Sequence, residues 1–115
     1  MRSSPDSFWN AVGVWSSGTR KPWIVVEGRG GGNWPVVRFK GTVLTYTPRE
    51  SITFISDDGK VWPLDLRACN LFFESVSSLS AETAVAATFR LKCKEIDGEE
   101  SVFVFTELRS FGKSD

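Results

Sequence analysis

The chain has no histidine, and only two cysteines, one methionine and one tyrosine among its 115 residues. Without histidine there is no side chain ready to act as a general base near neutral pH. The two cysteines, Cys69 and Cys93, do not form a metal-binding spacing, and no imidazole is present to complete one. Both sit among apolar residues, which predicts two buried free thiols. Net charge is also missing: fourteen basic residues cancel fourteen acidic ones. No global field therefore draws the protein to nucleic acid or anionic lipid. Long apolar runs are absent too. Stretches such as Val102–Phe105 fall far short of a membrane span, and Met1–Asn10 lacks the apolar centre of a signal peptide. These features predict a cytoplasmic protein without a membrane span.

What the chain does have is aromatic mass and alternation. Five Trp and nine Phe supply most of the area available for a core, at roughly 150–250 Å² each. The length fits one domain. Charge is uneven along it: residues 1–50 hold seven Lys/Arg against three Asp/Glu, and residues 51–115 hold seven against eleven.

From Trp23 to Leu108 short alternating segments are separated by turn signals, with no long helical pattern. This predicts an all-β fold, a small antiparallel β-barrel of about six to seven short strands. Residues 23–109 form the barrel domain, 1–22 an N-terminal arm or barrel cover, and 110–115 a frayed tail. Phe8–Trp15 reads as a strand or a single helical turn over one end. Trp23–Glu27 is a short strand, Gly28–Asn33 a glycine-rich loop, and Val36–Thr47 a long strand bent or bulged at Gly41. Asp57-Asp58-Gly59 predicts a three-residue hairpin loop with Gly59 left-handed, setting Phe54 opposite Trp62 and Ile52 opposite Leu64. Leu71–Ser75 is a further strand, followed by a loop at Ser77–Ala81.

Val85, Ala87, Phe89, Leu91 and Cys93 alternate with Thr88, Arg90, Lys92 and Lys94. Asp97-Gly98 then reads as a two-residue turn. Folding about it sets Cys93 opposite Val102, Leu91 opposite Val104, Lys92 beside Phe103 and Arg90 beside Phe105. Arg90, Lys92, Phe103 and Phe105 would thus form a basic-aromatic strip, unless the N-terminal segment folds over the two rings. An exposed strip of this kind is a candidate partner-binding site.

The order of strand, turn, strand, then Val61–Phe73, then a polar loop resembles the PilZ domain. That family is a six-stranded β-barrel whose best-known members bind cyclic di-GMP. Its Asp-x-Ser-x-x-Gly motif is similar to Asp65-Leu66-Arg67-Ala68-Cys69-Asn70, with Arg67 for the hydroxyl residue and Asn70 for glycine. Asn is the non-glycine residue best suited to the left-handed turn at that place. Its pair of arginines is similar to Arg29-Gly30-Gly31-Gly32-Asn33, with Asn33 for the second arginine. The resemblance implies a ligand site of Arg29, Asn33, Asp65, Arg67 and Asn70 around one barrel end, in a form with eroded motifs.

Three functions follow in order. The first is a non-catalytic regulatory or adaptor domain acting through a protein partner, with no cofactor. The second is a cyclic di-GMP sensor, and beside it a pleckstrin-homology-like binding domain, which would normally carry a C-terminal amphipathic helix. An enzyme comes last: Asp57-Asp58 and Glu99-Glu100 sit in or beside turns, where solvated carboxylates are expected. A barrel edge left unpaired would favour a homodimer by strand pairing.

Overall fold

In the computed structural model, residues 5–17, 20–30, 37–76, 85–94 and 100–111 are described. They form one helix, α1 (Pro5–Ser16), and seven strands. The strands are β1 (Pro22–Gly30), β2 (Val37–Thr47), β3 (Ser51–Ser56), β4 (Val61–Asp65), β5 (Cys69–Val76), β6 (Val85–Lys94) and β7 (Glu100–Phe111). All pair antiparallel in a single sheet of order β4-β3-β2-β1-β7-β6-β5. The all-β class is as expected, but the barrel does not close: β4 and β5 are both edges. Three residues join them. Within that link the buried Leu66 donates its N–H to the carbonyl of Glu50, and Lys94 N–H donates to the carbonyl of Ala68. The sheet therefore curls until one end of each edge meets the other, and the remaining gap is covered by α1.

The segment Phe8–Trp15 is helical rather than extended or a single turn. Phe8, Ala11, Val12 and Trp15 fall at i, i+3, i+4 and i+7, one stripe of an α-helix. Pro5 and Asp6 suit its first turn. Phe8, Val12 and Trp15 are buried. The Phe8 ring centroid lies 5.1 Å from Phe105 and 5.6 Å from Phe89, and Trp9 stacks on Tyr46. Polar contacts tie the helix to β5, to β7 and to the β2–β3 turn. Ser7 Oγ donates to Glu74 at 2.7 Å, Trp15 Nε1 donates to Glu107 at 2.8 Å, and Arg49 pairs with Asp6.

The core lies between α1 and the inner face of the sheet, where Ile24, Val26, Val43, Ile52, Phe54 and Phe105 are wholly buried. Each such side chain contributes roughly 1.5–3 kcal/mol. The first hairpin follows the turn chemistry: Phe54 pairs with Trp62, Ile52 with Leu64, and Gly59 has φ +87°. Two local expectations are corrected in β1 and β2. β1 runs on through Gly28 to Gly30, where a loop was expected to begin at Gly28, and residues 31–36 lie outside the described ones. The irregularity in β2 falls between Val43 and Thr45, not at Gly41. Gly41 serves a close approach instead, since a Cβ there would sit 2.5 Å from the Ile55 carbonyl oxygen.

Cys69 and Cys93 are not free thiols. They are cross-strand partners of β5 and β6 and form a disulfide, which pins the edge strand to its neighbour.

Candidate functional site: the open face beside β5

The β6–β7 pairing differs by one residue from the register expected of a two-residue turn. Lys94 pairs with Glu100, Lys92 with Val102, Leu91 with Phe103 and Phe89 with Phe105. A slip of one exchanges the faces of a strand. Phe103 and Phe105 are consequently inward, 2% and 0% exposed, with Phe8 over Phe105. They are core residues, and the strip proposed with them is corrected accordingly. Pairing of Phe89, Leu91 and Cys93 with Phe105, Phe103 and Ser101 puts apolar side chains of both strands under α1, and that burial sets the register. The Asp97-Gly98 turn lies outside the described residues.

Arg90 and Lys92 do face outward over aromatic rings, but the rings come from β5. Arg90 lies 4.8 Å from the Phe73 centroid, and Lys92 Nζ lies 4.9 Å from that of Phe72. A β-bulge makes this possible. Leu71 pairs with Leu91 and Phe73 with Arg90, so Phe72 is the extra residue. Without it, strict alternation would turn one of two successive phenylalanines inward. With it, Phe72 and Phe73 are 44% and 39% exposed. Each cation-ring contact at such exposure contributes roughly 0.5–1 kcal/mol.

Around this pair the outer face forms a shallow depression of about 460 Å³, lined by Glu27, Phe72, Arg90, Val102 and Val104. Glu27, from β1, lies 4.0 Å from Arg38 of β2. Val102 and Val104 are the outward residues of β7, between Arg90 and Lys92 on one side and β1 on the other. The surface is apolar at its centre, aromatic on the β5 side and cationic along β6. Aromatic rings and arginine are residue types that anchor interfaces. Among the described residues no three of His, Cys, Asp and Glu converge as metal ligands would.

The residues of the expected nucleotide site are placed otherwise. Asp65 ends β4 and Arg67 follows in the turn, and the two are partners of each other. Arg67 donates from Nε to Asp65 Oδ1 at 3.0 Å and from Nη2 to Oδ2 at 2.7 Å, and its backbone N–H reaches Oδ1 at 3.1 Å. These bonds hold the Asp65 carboxyl down at about 2. Both residues line a second depression, of about 400 Å³, together with Glu50, Ser51, Thr53, Pro63 and Leu64. Two carboxylates there face one guanidinium whose fork is already occupied, a poor setting for phosphate. Asn70 is not in the left-handed turn expected of it; it lies in β5 opposite Lys92, and Arg49 is the non-glycine residue with positive φ among those described. The turn falls one step earlier, where Cys69 N–H donates to the carbonyl of Leu66. The Arg29 backbone lies in β1 opposite Val102. Asn33 lies outside the described residues.

Phe72 and Phe73 were not singled out by sequence. The signal was the doublet itself, two large apolar residues in a strand that otherwise alternates. No helix among the described residues is long and apolar enough to cross a membrane. Compared with protein-family models, curated proteins and solved structures, the chain matches none of them.

Proposed function

We propose that this is a non-catalytic adaptor or regulatory domain that binds a protein partner through the outer face of β5, β6 and β7. The observation that carries the reading is the pair of exposed phenylalanines, each capped by a cation and set beside the half-buried Val102 and Val104. Aromatic and arginine side chains of this kind are the usual anchors of interfaces. Phe72 and Phe73 add nothing to the core, whose inner face is already filled under α1.

The cyclic dinucleotide reading that goes with a PilZ relationship has less support. It needs Arg67 for phosphate, and that guanidinium is bound to Asp65. The pleckstrin-homology-like alternative calls for a C-terminal amphipathic helix, whereas the helix among the described residues, α1, is N-terminal. Location belongs to the proposal as well. A cytoplasmic site goes with reduced thiols, whereas the Cys69–Cys93 bridge fits an oxidising compartment. Alkylation of the protein as it leaves the cell, read by mass, distinguishes the two.

The binding reading is tested by affinity capture with wild type and with a Phe72→Ser/Arg90→Glu double variant, whose fold is checked by thermal melting. The expected result is a partner recovered by wild type and lost by the variant. Equal recovery by both would remove the outer face from the account.

A further inference from the structure

The two edges of the sheet are not equally guarded. β4 carries Pro63, which has no N–H to offer, and ends in the Asp65–Arg67 ion pair. Both features discourage pairing with another strand. β5 has neither. It contains no proline, and its one charged residue, Glu74, accepts a hydrogen bond from Ser7 of α1. Its exposed apolar residues are Phe72, Phe73 and Val76. The disulfide to β6 fixes the strand in place.

One strand further in, β6 presents Arg90, Lys92 and Lys94 at every second position, all exposed. Among the described residues none of the three has a carboxylate within ion-pair distance. Same-face residues on a strand repeat at about 6.6–6.8 Å, twice the rise per residue. A strand added beyond β5 would lie about 9.6 Å from β6, two strand spacings away, with the Phe72 and Phe73 rings between. Long side chains from both sides bridge that span. An occupant with carboxylates on the face turned to β6 would match these cations in sign, the extra residue Phe72 shifting the spacing by one between the positions opposite Lys92 and Arg90.

We propose that the β5 edge takes an extended acidic segment of a partner polypeptide as an additional strand. Its backbone pairs with β5 and its carboxylates on the outer face lie towards Lys92 and Arg90, with Lys94 at the end where the chain turns from β4. This rests on the reading of the outer face given above and names the partner's chemistry. Charge decides against a second copy of the chain, which would bring its own β6 cations to the same side. Ring geometry decides against single-stranded nucleic acid, because bases would have to stack where Arg90 and Lys92 already lie over the phenyl faces.

The test is fluorescence anisotropy on the intact, disulfide-bonded chain. The probe is a short labelled peptide with Glu at every second position and Val or Thr between. Three further ligands are compared: the same peptide with alternate amides N-methylated, one with its glutamates made contiguous, and an oligothymidine of equal charge. The expected result is saturable micromolar binding of the alternating peptide, weakened about tenfold or more by N-methylation. An Arg90→Glu/Lys92→Glu variant should lose that peptide and bind its Lys-for-Glu counterpart instead. Binding that ignores N-methylation but is lost in the variant would overturn strand addition while leaving the outer face as the binding surface. No binding of the alternating peptide, or tighter binding of oligothymidine, would overturn the inference. So would sedimentation showing a dimer of the chain alone that dissociates on Phe73→Glu. Capture of a partner by wild type but not by Phe72→Ser/Arg90→Glu remains the separate test of the outer face itself.

Discussion

Phe105 and Phe72 carry the same side chain and meet opposite surroundings. Phe105 is wholly buried against Phe8, whereas Phe72 is 44% exposed under Lys92. Phe105→Ala should therefore cost about 3–5 kcal/mol in guanidinium unfolding, by lost burial and the cavity left. Phe72→Ser should cost under about 1 kcal/mol in the same assay, since it empties no core site. Asp65 gives a pH dependence of known sign. Its folded carboxyl titrates at about 2, below the ordinary 3.8, because Arg67 bonds the charged form. A depressed carboxyl stabilises fully above its unfolded value, and that contribution fades as pH falls from about 4 towards 2. Thermal melts of wild type should show this loss, and Asp65→Asn should lack it. Exposure of both partners keeps the effect small.

The elements show what was legible in the sequence and what was not. The β3–β4 hairpin was readable to the residue, because turn chemistry at Asp57-Asp58-Gly59 and apolar pairing at Ile52, Phe54, Trp62 and Leu64 agree. In β6–β7 the same reasoning missed by one: a strong local turn signal competed with burial of Phe103 and Phe105, and burial prevailed. The α1 stripe was present as Phe8, Ala11, Val12 and Trp15, but Trp9 and Val14 place apolar residues off the stripe and blur the period. The disulfide could not be read from spacing, since only the β5–β6 register makes Cys69 and Cys93 neighbours. Two predictions follow from these elements. Val12→Asp, which puts a carboxylate against the core, should cost about 3 kcal/mol or more and shift tryptophan emission to the red as α1 leaves the sheet. Reducing the bridge, which closes a loop across a separation of 24 residues, should lower unfolding stability by about 3 kcal/mol.

The fold as a whole explains why the rings beside Arg90 and Lys92 are not the expected ones. Both cations face outward, and their aromatic neighbours depend on which strand lies beside β6 and on a bulge in it. Neither is a local property. The sheet curls over α1, which packs Phe8, Val12 and Trp15 against its inner side, and the outer face keeps the exposed aromatic pair. Val14, 69% exposed on α1, is an apolar residue of greater exposure in a different part of the molecule. That contrast sets the experiment. A photo-crosslinking amino acid is placed at position 72 in one protein and at position 14 in another, and each is irradiated in extracts of the cells the protein comes from. A discrete adduct from position 72 and none from position 14 is the result predicted here. An adduct from position 14 alone would contradict it and move the interface to the helix.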